Sequence, residues 1–217
     1  MSKAKIAVIG GTGNLGSGLA WRLARANHEV LLGSRTAESA SKRAADLGHG
    51  IIGMDNVEAA RAGDILFVTV PFEAQEATLE AIRPHAAGKI VVDTTVPLVP
   101  PRVMRVQLPA EGSAALKAAQ LLGDGVRVVS GFHNVAAAKL AKDVDVACDI
   151  LVFSDDKEAR SVVVGLANEI GVRGLHGGAL ANSAAAEAMT SLLIFINKTY
   201  QVDGAGIQIT GELVPSA

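Results

Sequence analysis

Apolar residues in this chain gather into short runs, with stretches of helical spacing between them. The first run, Lys5 to Ile9 (KIAVI), predicts a strand. A glycine turn, a helix and a second strand ending in Ser34-Arg35 follow. Residues 36–48 have helical character. Asp64 to Val70 (DILFVTV) is almost continuously apolar and stops at Pro71, as a strand buried on both faces does. Residues 73–84 predict a helix closed by Pro84, and Lys89 to Asp93 (KIVVD) the next strand. Residues 94–112 carry Pro97, Pro100, Pro101 and Pro109 and predict a long irregular connection, a class that is usually functional or mobile. Further helices are expected over 113–122, 135–142, 157–170 and 183–200. Strands are expected at Val126–Ser130, Asp149–Phe153 and Val172–Leu175, and a glycine-containing tail runs from Gly204 to Gly211.

This alternation predicts an α/β protein with a Rossmann-type, doubly wound, mostly parallel sheet, right-handed crossovers and a small C-terminal helical lobe on the same sheet. Residues 1–150 are expected to form the dinucleotide-binding domain. Residues 151–217 are expected to complete the sheet and a second pocket. The run Leu192 to Ile196 is apolar on every helical face, so its helix is expected to be buried all round, within the chain or partly by a second copy.

The glycine turn carries the first chemical signal. Gly11, Gly13 and Gly16 form G-x-G-x-x-G between a strand and a helix. The first glycine makes a turn that a Cβ would obstruct, the second lets backbone N–H groups approach a pyrophosphate, and the third lets helix and strand pack closely. The helix N-terminus then faces the phosphates with free N–H groups and partial positive charge. About 20 residues further on, NAD-binding proteins place an acidic residue for the ribose 2′-OH. Here Ser34-Arg35 stands at that place. A carboxylate would repel a 2′-phosphate, whereas a hydroxyl and a guanidinium would bind it, so the expected cofactor is NADP.

Composition narrows the function further. The chain is 49% apolar but only 3% aromatic, so its core is built from Val, Ile, Leu and Ala. Net charge is −2, with no basic stripe, which argues against nucleic acid as a partner. The single cysteine, Cys148, reads as a small buried hydrophobe in a reducing compartment. The charged start MSKAK leads straight into the first strand, so no signal peptide is expected, and no apolar run reaches the ~18 residues of a membrane span. The expected location is cytoplasmic, with no membrane partner.

In an open α/β sheet, ligands bind beyond the carboxyl ends of the strands. Those ends are Gly11 to Leu15; Ser34 and Arg35; Val70, Pro71 and Phe72; Thr94 to Pro97; and Phe132, His133 and Asn134. The nicotinamide is expected near Pro71 and Pro97. Acid–base groups are scarce there: Tyr200 begins no Y-x-x-x-K pattern, and no histidine has metal-ligand spacing. His133 is the only histidine at a strand end, and is the candidate catalytic residue. It could act as a general acid, hydrogen-bond a substrate carbonyl, position a ring, or merely cap the next helix. A site with so few proton carriers suits hydride exchange between two redox cofactors, which the protein only aligns.

The segments IAVIGGTGNLGSGLAWRLA with LLGSR, DILFVTVPF, VVDTTVPLVPPRVMRVQLP, VRVVSGFHNVAA, CDILVFSDD and INKTYQVDGAGIQITG together resemble the NADPH-dependent coenzyme F420 reductases. The resemblance covers nearly the whole chain, in order. It implies that Thr12, Asn14, Leu15, Ser34, Arg35, Val70 and Pro71 line an NADP site. It further implies that Pro97, His133, Asn134, Val135, Gly206 and Ile207 line a pocket for coenzyme F420, an 8-hydroxy-5-deazaflavin. Hydride would pass directly between nicotinamide C4 and deazaflavin C5, and the protein would be a homodimer. Two alternatives stay open: an NADPH-dependent reductase of a flavin, pterin or other planar acceptor, and a non-catalytic NADP-binding redox sensor.

Overall fold

The computed structural model describes residues 4–214, so Met1 to Lys3 of the charged start lie outside the described residues. Among the described residues, eight strands form one sheet: β1 (Ile6–Ile9), β2 (Val30–Ser34), β3 (Ile52–Asp55), β4 (Ile65–Val68), β5 (Ile90–Asp93), β6 (Arg127–Ser130), β7 (Asp149–Phe153) and β8 (Arg173–Gly178). The helices are α1 (Asn14–Arg25), α2 (Ala37–Leu47), α3 (Asn56–Ala62), α4 (Phe72–Ile82), α5 (Ala114–Leu122), α6 (Ala137–Leu140), α7 (Lys157–Glu169) and α8 (Ser183–Tyr200). The sheet order is β3-β2-β1-β4-β5-β6-β7-β8. Every ladder is parallel except β6–β7, which pairs Ser130 with Phe153 antiparallel. This is the expected Rossmann-type, doubly wound, mostly parallel sheet.

Both faces of the sheet are covered, which explains the continuous apolar runs. Along β1, Ile6 and Val8 join one core cluster while Ala7 and Ile9 join the other. All four are fully buried. Phe67 of β4 is fully buried too and meets Phe132 edge to face, with ring centroids 5.7 Å apart. Burying a side chain of that size contributes roughly 1.5–3 kcal/mol relative to leaving it exposed.

Two elements carry no apolar signature in the sequence. β3 is the edge strand, so its Ile52 stays largely exposed and its Gly53 lies against the Ala40–Ser41 backbone of α2, where a Cβ would come within 2.3 Å of Ser41 N. α3 is capped by Asp55, whose Oδ1 accepts the N–H groups of Val57 and Glu58, both at 2.9 Å. Pairing on the sheet also lengthens the last strand. The expected segment ended at Leu175, but β8 runs to Gly178 and includes His176.

The segment after β6 doubles back instead of crossing over. Phe132 adopts φ 65°, α6 is only one turn long, and the chain returns antiparallel as β7. Arg22 of α1 pins this return. Its guanidinium donates to the carbonyls of Leu140 (2.9 Å), Lys139 (3.3 Å), Lys142 (2.8 Å), Val144 (2.8 Å) and, from α7's end, Ile170 (3.0 Å).

For α8, only the first of the two expected covers is set aside by the structure. On this helix Ala186, Glu187 and Leu193 are buried, but Leu192 is 49% exposed and Phe195 53%. The chain itself covers only one side of this helix, so burial all round does not hold within one copy. No helix among the described residues is long and apolar enough to cross a membrane.

Candidate active site

The sheet order reverses between β1 and β4, and a cleft of about 350 Å³ opens at that switch point. It is lined by Gly10, Thr12 and Gly13 after β1, by Ser34 and Arg35 at the end of β2, and by Thr69, Val70 and Pro71 after β4. Of the residues expected to hold a dinucleotide, Thr12, Gly13, Ser34, Arg35, Val70 and Pro71 therefore meet on one wall system. Asn14 and Leu15 occupy the first turn of α1 instead. Phe72 opens α4 and lies with its ring 5.6 Å from the Lys117 ammonium, away from the cleft lining.

The glycines divide the labour more finely than their spacing shows. Gly11 and Gly16 are buried beneath the turn. A Cβ on Gly16 would stand 2.5 Å from Thr69 Oγ1 and 2.7 Å from Gly11 Cα, and one on Gly11 would stand 2.8 Å from the Val8 carbonyl. Gly10, outside the motif, is the one with positive φ, and its Cβ would meet Val70 Cγ1 at 2.5 Å. Gly13 is different: its nearest neighbour for a Cβ is Gly10 O at 3.7 Å. The protein itself makes no demand for glycine there, so the space belongs to whatever approaches the helix N-terminus. Gly13 is also the N-cap of α1 and offers no side-chain cap to its free N–H groups.

The turn is braced by four hydrogen bonds. Gly11 N–H donates to Gly33 O at 2.8 Å, and Gly10 N–H to Asn56 Oδ1 at 3.0 Å. Thr69 Oγ1 donates to Ile9 O at 2.9 Å, and Ser17 Oγ to Gly11 O at 2.9 Å while it accepts from Arg43 Nε at 2.9 Å. At the end of β2 the Thr12 and Ser34 hydroxyls lie 3.4 Å apart. Arg35 beside them is exposed and has no hydrogen-bond or ion-pair partner among the described residues. Asn56 and Thr69 escaped the sequence reading. Asn56 follows an acidic cap in D-N-V-E, a capping-box pattern that would have flagged the start of α3.

A second, smaller pocket of about 120 Å³ lies beyond β6, lined by His133, Asn134 and Val135 with Thr190, Asn197 and Ala205 among its other walls. His133 Nε2 and Ser130 Oγ share a hydrogen bond of 3.0 Å, and the His133 carbonyl accepts Thr190 Oγ1 at 2.9 Å. His133 Nδ1 and Asn134 Oδ1 are buried without a hydrogen-bond partner among the described residues. Burial pushes the imidazole down to about 4, so the ring is neutral at neutral pH. As a neutral imidazole it can exchange a hydrogen bond, but it lacks the imidazolium proton that a general acid delivers. Nor does it cap the next helix, since the N-cap of α6 is Ala136, with no side-chain cap. Gly206 and Ile207 lie just behind Ala205: a Cβ on Gly206 would stand 2.4 Å from Cys148 Cβ, and Ile207 O accepts Asp149 N–H at 2.8 Å. Pro97 is buried and lines neither pocket.

Between the pockets a buried polar network anchors the irregular connection. Gln75 Nε2 donates to Asp93 Oδ2 (2.8 Å) and to Ala114 O (3.0 Å), and Thr95 Oγ1 donates to Asp93 Oδ1 (2.6 Å). Glu187 of α8 caps α5 by accepting the N–H groups of Ala114 and Ala115. Burial pushes the Asp93 carboxyl up to about 6. Burial, reinforced by the Asp93 charge, pushes Glu187 up to about 7 against its backbone hydrogen bonds. A charged residue within the alanine-rich stretch of α8 was the available signal, and periodicity alone does not assign it a partner. Cys148 is buried, with its thiol pushed up to about 11 chiefly by burial, and no disulfide partner.

Comparisons with known proteins identify the family. Residues 5–97 match the family described as NADP oxidoreductase coenzyme F420-dependent. The F420-dependent NADP reductase of Methanocaldococcus jannaschii is 42% identical over 95% of this chain and 98% of its own length. That of Methanothermobacter thermautotrophicus is 42% identical over 95% of this chain and 94% of its own. A solved protein of Arthrobacter sp. FB24 matches the fold with a TM-score of 0.86, at 21% identity, over 96% of this chain and 100% of that one. The match over nearly full length on both sides places the chain in the F420-dependent NADP oxidoreductase family.

Proposed function

We propose that this chain is an oxidoreductase that transfers hydride between NADP(H) and the deazaflavin coenzyme F420. The observation that carries the NADP half is the unpaired Arg35 beside the Thr12 and Ser34 hydroxyls, in the place where a 2′-OH reader carries a carboxylate. Arg35 and Ser34 take the 2′-phosphate. Gly13 leaves room for the pyrophosphate against the first turn of α1, and Val70 and Pro71 form the wall toward the nicotinamide.

The second half rests on the pocket beyond β6. It supplies two buried, unpartnered polar atoms, His133 Nδ1 and Asn134 Oδ1, and at about 120 Å³ it admits the polar edge of a flat ring rather than the whole ring. The two redox partners supply the hydride chemistry, and the chain holds them face to face. His133 acts by hydrogen bonding and positioning. Residues 1–150 carry the dinucleotide, and residues 151–217 complete the sheet and the second pocket. The protein works in the cytoplasm as a homodimer, with Leu192 and Phe195 of α8 covered by a second copy. A Phe195→Glu variant that elutes at the wild-type size in gel filtration would remove the support for that interface.

The test is NADPH oxidation with purified deazaflavin, followed by loss of the deazaflavin's visible absorbance. Turnover with the deazaflavin supports the reading. Turnover only with FMN or a pterin transfers the activity to another acceptor. Tight NADPH binding with no acceptor at all supports a sensor.

A further inference from the structure

We infer that Asp149 and Arg173 are positioning residues for the second pocket, acting through the C-terminal tail; the inference rests on the reading of that pocket as the second-substrate site. Ala205 is one wall of the pocket. Residues 204–209 around it belong to no helix or strand, so their course is set by the groups that tie them down.

Three ties are single hydrogen bonds. Lys139 Nζ donates to Gly204 O at 3.0 Å, Ala205 N–H to Asn197 Oδ1 at 2.7 Å, and Asp149 N–H to Ile207 O at 2.8 Å. The fourth is an ion pair wrapped around one residue of the tail. Arg173 Nε and Nη2 donate to the two Asp149 carboxylate oxygens, both at 2.6 Å. Asp149 Oδ2 also accepts Ile209 N–H at 2.6 Å, and Arg173 Nη2 also donates to Ile209 O at 2.9 Å. The pair thus holds both backbone polar groups of Ile209. Gly206 lets the tail lie this close, because any Cβ there would collide with Cys148, the neighbour of Asp149.

Asp149 reaches the opposite wall as well. Its carbonyl accepts Asn134 Nδ2 at 2.8 Å, which orients the amide whose Oδ1 is left unpartnered in the pocket region. One residue therefore sets the distance between the tail wall and the His133–Asn134 wall. The two partners sit opposite each other on β7 and β8, and the Asp149 side chain is buried while that of Arg173 is half exposed. The guanidinium is half exposed, so its loss acts chiefly through the bonds it makes. That loss leaves a buried carboxylate with Ile209 N–H as its remaining donor, and frees Ile209 O. Charge-assisted, two-pronged pairs of this kind are the stronger class of hydrogen bond and fix geometry as well as energy.

The test uses Arg173→Met and Arg173→Lys, with Asp149→Asn as a second route to the same break. Hydrogen exchange of residues 204–211, NADPH affinity, and KM and kcat for the deazaflavin are measured on each folded variant. Arg173→Met is expected to lose tail protection and raise the deazaflavin KM about ten-fold, the cost of one charge-assisted bond. NADPH affinity should stay within about two-fold, and Arg173→Lys should recover part of the KM, because it restores the charge without the fork. Tail protection that survives in Arg173→Met overturns the inference, as does a lost protection with unchanged KM. Wild-type protein that fails to oxidise NADPH with the deazaflavin overturns the reading of the pocket and the inference with it. That outcome is visible in the wild type, before any variant is compared.

Discussion

Glu187 holds the N-terminus of α5 through Ala114, whose backbone N–H donates to the Glu187 carboxylate at 2.7 Å; the next N–H, of Ala115, follows at 3.1 Å. Ser183 Oγ donates to the same carboxylate at 3.2 Å. Through Gln75, which bridges Asp93 and the Ala114 carbonyl, both ends of the proline-bearing connection are fastened to one buried cluster.

This cluster makes stability depend on pH. Burial raises Asp93 to about 6 and Glu187 to about 7, from ordinary values of 3.8 and 4.5. The folded state therefore binds these protons more tightly than the unfolded chain does. Their contribution is complete below the ordinary values and is lost as pH rises through about 6 and about 7. For Glu187 the loss is on the order of 3 kcal/mol. Urea unfolding at pH 5 and pH 8 should show the wild type less stable at pH 8, and Glu187→Gln with a smaller difference. Equal pH dependence in the two proteins would rule out Glu187 as a source.

The glycine turn separates folding from binding. Gly16→Ala places a Cβ 2.5 Å from Thr69 Oγ1 and 2.7 Å from Gly11 Cα, both on packed elements, and should cost about 1–3 kcal/mol of stability. Gly13→Ala meets nothing closer than 3.7 Å, so the ligand-free protein should melt within a few degrees of the wild type. Its NADPH affinity should nevertheless fall sharply. Melting curves with and without NADPH distinguish the two, and a Gly13→Ala protein that binds NADPH normally would show that no phosphate approaches that turn.

Arg35→Asp replaces the unpaired guanidinium with a carboxylate at the mouth of the cleft. NADPH affinity should fall by about 10- to 100-fold, the range of a lost charge-assisted bond, and NADH affinity far less. Equal losses for the two nucleotides, measured by fluorescence titration, would show that Arg35 does not read the 2′-phosphate.

His133 is neutral in the folded protein because burial holds its ring at about 4. A depressed histidine contributes stability above its ordinary value near 6.5 that is lost as pH falls through about 4. The turnover rate should therefore show no limb near pH 6.5 that His133→Asn abolishes, and the ring's carbon-bound protons should titrate near pH 4 by NMR. A rate that falls with an apparent pKa near 6.5 and flattens in His133→Asn would instead give the ring acid–base work.

The core strands were readable in the residues because burial on both faces leaves no polar position. Ile65 to Val68 and Ile90 to Val92 show this directly. β3 was not readable for the opposite reason: as an edge strand it exposes Ile52 and spends Gly53 on contact with α2, so neither alternation nor an apolar run marks it. The antiparallel return of β7 was equally hidden, since strand direction depends on how the chain turns at Phe132 and not on the strand's own residues.

By itself the sequence determined the sheet's central strands, the glycine turn and the Ser34-Arg35 end of β2, because each is a local pattern whose physical requirement is met within a few residues. Only the tertiary structure decided which glycine leaves open space, that Thr12 lies beside Ser34, that His133 is buried and neutral, and that Glu187 meets Ala114 and Asp149 meets Arg173 and Ile209. Those relationships join residues up to 73 positions apart. They depend on burial, on strand direction and on which helix end faces which carboxylate, none of which is a property of a short stretch of chain.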